Sequence, residues 1–141
     1  AGPPRPSRRE RSMQPKQHLE FVNVDLENGW ERPAGYPLGF WQKILASDLD
    51  ETAKRGSRTR LLKIDPGAFT TEPFVHDHWE EVFVVSGDLI VGNDKQGRGG
   101  EQCVGATYAC RPPGAYHGPF TSKNGCVLYE IHYYETSGKR A

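Results

Sequence analysis

The chain has 141 residues, with Lys plus Arg and Asp plus Glu balanced at 18 each and a formal net charge of zero. That length suffices for one domain with its own core, and the charge balance argues against a nucleic-acid or other polyanionic partner. No apolar run approaches the roughly 18 residues of a membrane helix. Cys103, Cys110 and Cys126 show no CxxC spacing and read as free thiols, so a cytoplasmic protein is expected.

Residues 1–17 are dominated by proline and arginine and hold no large apolar residue except Met13. Such a segment cannot bury enough surface to offset its ordering entropy. It is predicted to be a disordered or appended leader, with Met13 as a natural start, and residues 18–141 to form a single domain. A first strand is predicted at 18–24, around Phe21, Val22 and Val24. Residues 25–38 hold Asn28-Gly29, Pro33, Gly35 and Pro37 and read as loop. A second strand follows at 40–46, then a polar loop at 47–57 and a strand with mixed faces at 58–64. There Arg60 and Lys63 either line a cavity, where they would hold an anion, or stand on a solvated face; the solvated face is preferred. Asp65-Pro66-Gly67 forms a turn. A hairpin is predicted from 81–86 and 89–91 through Ser86-Gly87-Asp88, followed by a polar loop at 92–102 and a strand at 106–110. The last and longest strand is 126–134. Alternation puts Val127, Tyr129, Ile131 and Tyr133 on one of its faces and Cys126, Leu128, Glu130, His132 and Tyr134 on the other. His132 is expected to be exposed. Many short strands, frequent Gly/Pro turns and no sustained 3.6-residue period predict an all-β sandwich or barrel.

Two stretches carry chemistry, Phe74 to Gly87 and Gly105 to His117. Together they offer three imidazoles and a carboxylate, the donor set of a mononuclear transition-metal site. His76 and His78 leave the same face of an extended chain, so both can aim at one point. Strict alternation from them selects Glu80 as the carboxylate. His117 follows Pro112-Pro113-Gly114, where proline fixes φ and glycine tolerates a positive φ.

These stretches resemble the cupin superfamily. His76, His78, Glu81 and Gly87 match its first motif; Gly105, Pro112, Gly114 and His117 match its second. The run from Pro112 to Phe120, continued by Gly125-Cys126-Val127, is similar to ChrR-type cupins, and small β-diketone-cleaving dioxygenases look similar too. The resemblance implies a cupin double-stranded β-helix, a jelly-roll barrel with a divalent metal in one mouth, held by His76, His78, Glu81 and His117. Glu81 lies one residue closer to His78 than the motif usually has it. Strict strand parity makes Glu80 the alternative, and the three histidines alone are a third arrangement. Iron(II) is the favoured ion, with zinc, manganese or nickel as alternatives. Trp79, Phe83, Tyr108 and Tyr116 stand beside these positions in sequence and are candidates for a dry aromatic wall. The implied activity is a dioxygenase acting on a small dicarbonyl or hydroxy-carbonyl molecule. The alternatives are a non-redox cyclase, isomerase or lyase, and a zinc-binding sensing module of ChrR type without an anti-sigma domain. A small-molecule substrate and a homodimer are the expected partners.

Overall fold

The computed structural model describes residues 16–135, so the predicted leader lies almost wholly outside the described residues. Seven strands carry the fold: β1 (Phe40–Ser47), β2 (Ser57–Ile64), β3 (Trp79–Val91), β4 (Glu101–Val104), β5 (Tyr108–Arg111), β6 (Phe120–Thr121) and β7 (Cys126–Tyr133). Every pairing is antiparallel, in the order β1-β2-β7-β3-β4, with β5 and β6 also joined to β3. No helix occurs among the described residues. The all-β class expected from the turn spacing, and the jelly roll that the resemblance implies, are the fold observed.

β3 ties the barrel together. Its first half pairs β5 on one side and β7 on the other; its last residues pair β4 and β6. The predicted hairpin through Ser86-Gly87-Asp88 does not form, because the strand continues through a bulge between Val84 and Ser86. Gly87 has φ 81°, and a Cβ there would collide with the Gly125 carbonyl. Glycine at this point permits close approach of β3 to β7 rather than chain reversal. The next residue, Asp88, is buried and accepts backbone N–H bonds from Lys123 at 2.9 Å and Asn124 at 2.8 Å.

The strand predicted at 18–24 is absent as well. Its apolar side chains face water, Phe21 completely, and the free edge of β1 is met by Glu31, which exchanges bonds of 2.9 and 2.7 Å with Gln42. High β-propensity without a ladder partner does not make a strand.

Alternation along β1, β2, β3 and β7 sends Phe40, Leu62, Ile64, Val82, Val84, Cys126 and Leu128 into one apolar core. The same inward face then changes character along the strands. Register joins Leu62 to Leu128 and Leu128 to Val84; two residues on, it joins Arg60 to Glu130; two further, Arg58 to His132 and His132 to Glu80. The apolar barrel thus grades into a buried charged end. This corrects two expectations. Arg60 is buried, not solvated, while its neighbour Lys63 points outward over the Trp30 ring at 4.6 Å. His132 is 1% exposed; the two faces of β7 divide as predicted, but the face carrying His132 is the inner one.

Candidate metal centre

The two motif stretches are stitched together through their backbones. Phe74 and His117 form an antiparallel bridge with bonds of 2.7 and 2.9 Å, and the Gly114 N–H donates to the His76 carbonyl at 2.8 Å. The turn before His117 closes with Ala115 N–H donating to the Pro112 carbonyl at 3.2 Å, and Gly114 has φ 83°, the conformation that a type II turn demands of its third residue. His76 and His117 are thereby brought to a ring separation of 5.0 Å.

Glu80 meets them from β3. Its carboxylate is buried, with Oε1 3.5 Å from His117 Nε2 and Oε2 3.7 Å from His76 Nε2. One ligand atom from each of His76, Glu80 and His117 lies within 4.8 Å of the other two. His78 stacks on His76 at 4.7 Å with an interplanar angle of 11°. Its Nδ1–H donates to the Trp79 carbonyl at 3.0 Å and its Nε2 lies 3.9 Å from Glu51, so it stands beside the converging group rather than within it. Glu81 is not brought to the histidines at all. It leaves β3 on the opposite face and accepts from the Tyr108 hydroxyl. Of the two carboxylates weighed from the sequence, the structure brings Glu80 and not Glu81 to the histidines, because strand parity in β3 turns 80 inward and 81 outward.

The protonation pattern tests whether a cation fits. His117 Nδ1 lies 3.3 Å from the Ala115 carbonyl. A carbonyl can only accept, so Nδ1 carries the proton and Nε2 presents a lone pair to Glu80. Burial holds His117 below its usual pKa against the pull of Glu80. Burial likewise pushes His76 down to about 4, with the neighbouring histidines adding to the fall and Glu80 opposing it, and burial lowers His78. Burial and the nearby Glu130 would raise Glu80, but the His132 hydrogen bond and the proximity of His132 and His117 outweigh them, so the carboxyl stays below its usual value. A carboxylate then faces neutral ring nitrogens whose donor atoms are 3.5 and 3.7 Å away. Ligands about 2.1 Å from a common ion sit roughly 3.0–3.5 Å apart. The residues fit a divalent ion.

Further charged groups frame this centre, and most are absent from the motifs. His132 Nε2 is 2.9 Å from Glu80 Oε2, and Arg111 donates to Glu80 Oε1 at 2.8 Å. Arg60 donates to Glu130 at 2.7 Å, to Gln42 at 2.8 Å and to the Tyr36 hydroxyl at 3.2 Å. Glu80, Glu130 and His132 form a second close group, but Arg60 already neutralises Glu130 there. The aromatic wall also differs from expectation. Phe83, Tyr108 and Tyr116 are exposed, and Trp79 stacks on Tyr133. The rings at the centre are Phe74, 5.9 Å from His117, Tyr36, 4.9 Å from Phe74, and Tyr134, edge-on to His78 at 5.6 Å.

A jelly roll with histidines and one carboxylate converging at a barrel end defines a cupin-type centre. The chain belongs to the family of ChrR cupin-like domains, whose model matches residues 29–134. No functionally curated protein is similar enough to match. Among solved structures the fold is similar to an acetylacetone dioxygenase from Acinetobacter johnsonii, at 18% identity and TM-score 0.60, covering 91% of this chain and 85% of that one. It is also similar to the polyketide cyclase RemF from Streptomyces resistomycificus, at 20% identity and TM-score 0.59, covering 83% and 81%. An RmlC-like cupin from Shewanella frigidimarina matches at 18% identity and TM-score 0.58, covering 84% and 95%.

Proposed function

We propose that this protein is a mononuclear metal-dependent enzyme, a non-haem iron(II) oxygenase acting on a small enolisable dicarbonyl or hydroxy-carbonyl compound. His76, Glu80 and His117 would hold the ion. The observation that carries the proposal is the buried Glu80 carboxylate facing Nε2 of two neutral histidines, with the lone pair of His117 Nε2 fixed by the contact of its Nδ1–H with the Ala115 carbonyl. Two histidines and one carboxylate with open positions is the ligand set that suits iron(II) and oxygen chemistry. His78, a member of the expected ligand set, is a reserve donor: its Nδ1–H on the Trp79 carbonyl leaves Nε2 bare, but that nitrogen lies toward Glu51 and would have to turn to the ion. When bound, the ion would supply Lewis acidity and a binding position for dioxygen.

The chain's own residues support an anionic organic ligand. At the cluster Arg58, Arg60 and Arg111 face Glu80 and Glu130, an excess of one positive charge before any ion is added. An enolate would offset that charge. The space at the cluster is about 20 Å³, room for about one water-sized occupant. A neighbouring groove of about 390 Å³ is lined by Tyr36 and Phe74 among others, and Tyr36 also lines the inner space. The organic part of the substrate would occupy the groove while its oxygens pass Phe74. Phe74 and Tyr36 would keep water from the reacting atoms.

Iron(II)-loaded protein should consume oxygen when given acetylacetone or a related β-diketone. Uptake no faster than that of iron(II) in buffer, across the whole panel, would overturn the oxygenase reading. A non-redox cyclase, isomerase or lyase at the same ion is the second reading, supported by the fold likeness to a polyketide cyclase; turnover with zinc in the absence of oxygen would select it. Tight zinc binding with no turnover of any kind would select the sensing module. A homodimer belongs to the same proposal. Phe83 pairs in register with both Tyr129 and Tyr108, and all three are exposed on the outer sheet face. Light scattering should give twice the chain mass, reduced by Phe83→Lys; a wild-type monomer would contradict it.

A further inference from the structure

Register across four strands lines up Arg58 of β2, His132 of β7, Glu80 of β3 and Arg111 of β5 as direct partners. Their side chains form an unbroken hydrogen-bonded row. Arg58 reaches His132 Nδ1 through Nε at 3.1 Å and through its second terminal nitrogen at 2.8 Å. A guanidinium has only donors, so His132 Nδ1 must be the bare, accepting nitrogen. The proton of the neutral ring then sits on Nε2, which donates to Glu80 Oε2 at 2.9 Å. On the other side, Arg111 donates to Glu80 Oε1 at 2.8 Å. Both oxygens of the carboxylate are thus held by donors, each keeping a lone pair on the side of His76 and His117.

From this row we infer that His132 is a positioning residue for the ion site, with Arg58 fixing the ring tautomer that lets His132 orient Glu80. The inference rests on the proposed metal reading only for its consequence; the tautomer itself is a property of the ion-free protein. If Arg58 did not hold Nδ1, the ring could place its proton there and turn a bare Nε2 toward Glu80, acceptor against acceptor. Groups that orient metal ligands in this way commonly contribute 10- to 100-fold to metal affinity.

Two measurements separate the parts. Long-range proton–nitrogen NMR of the ion-free, histidine-labelled protein should show His132 protonated at Nε2 and bare at Nδ1, and Arg58→Met should abolish that single-tautomer signature. A His132 protonated at Nδ1 in the wild type would overturn the inference whether or not any metal binds. Zinc(II) affinity, measured by chelator competition, should fall at least about tenfold in His132→Leu. It should stay within about threefold of wild type in His132→Gln, which keeps an N–H donor for Glu80, and should fall in Arg58→Met with the tautomer. A merely structural His132 would lower the melting temperature of both His132 variants and leave the zinc affinity of the folded protein unchanged; equal affinities for Leu and Gln would overturn the inference. Should His132→Leu fail to fold, the Gln and Arg58→Met variants decide between the same outcomes. Absence of zinc binding in the wild type would sink the metal reading while leaving the tautomer measurement to stand or fall alone.

Discussion

The buried Arg60–Glu130 pair makes the sharpest stability prediction. Each residue is 4% exposed, and Arg60 Nε donates to Glu130 Oε1 at 2.7 Å. Burial opposes both charges, yet the pairing holds Glu130 well below the usual carboxylate range and Arg60 above the usual guanidinium value. Glu130→Gln leaves a buried guanidinium whose remaining partners, Gln42 and Tyr36, are neutral. Removing one member of such a pair costs about 3–5 kcal/mol; because glutamine keeps a carbonyl acceptor, about 3 kcal/mol is expected. Arg60→Met should cost about 3–5 kcal/mol, since Glu130 then keeps only the more distant His132, at 3.5 Å. The double change Arg60→Met/Glu130→Leu removes both charges together with their desolvation penalties and should lie within about 2 kcal/mol of wild type. For a domain of this size, 3 kcal/mol corresponds to roughly 10 °C in Tm. Urea denaturation followed by tryptophan fluorescence, arranged as a double-mutant cycle, measures all three. A Glu130→Gln cost below about 1 kcal/mol, or a double variant whose cost equals the sum of the singles, would contradict a coupled buried pair.

Two further predictions follow from the same geometry. His76 in the ion-free protein has a folded pKa of about 4 against an ordinary 6.5. Between those values the unfolded chain binds more protons, so the stability contribution is complete above about pH 6.5 and is lost as pH falls toward 4, by at most about 3 kcal/mol. Urea midpoints at pH 7.5, 5.5 and 4 should fall in that order and fall less in His76→Gln; a flat or rising series contradicts the assignment. Asp88→Ala strands the buried N–H groups of Lys123 and Asn124 and the Gln102 amide and should cost about 2–4 kcal/mol. Asp88→Asn, which keeps one acceptor oxygen, should cost about half as much, and equal costs for the two would remove the hydrogen-bond explanation.

What sequence could reveal divides along physical lines. The spacing of His76 and His117 around their Gly/Pro turns was legible because turn chemistry and metal-ligand types leave local marks. The strand at 126–134 was legible because alternation is a local pattern, and those at 40–46 and 58–64 because apolar runs bounded by turn residues are local as well. Glu80 was visible only through parity, and the motif's register pointed one residue further, to Glu81. The hairpin at Gly87 was misread because a glycine required by close approach to Gly125 looks, in one dimension, like a glycine required by a turn. Arg60 and His132 were placed on solvated faces, and Glu130 and Arg58 were given no role, for a common reason: a charged residue on an alternating strand reads as solvated unless its cross-strand partner is known. The signal was nonetheless present, since Glu130 and His132 share a face with Cys126 and Leu128, and Arg60 shares one with Leu62 and Ile64. Only the antiparallel register of β2 with β7 sets those opposite charges against each other.

Which carboxylate meets His76 and His117 decides the nature of the centre. Cobalt(II) titration, read by visible absorption, compares wild type with Glu80→Gln and Glu81→Gln. Wild type and Glu81→Gln should each bind about one ion per chain with similar affinity and the same spectrum, while Glu80→Gln should lose at least about tenfold in affinity and change its spectrum. Full binding by Glu80→Gln together with loss in Glu81→Gln would contradict Glu80 as the ligand.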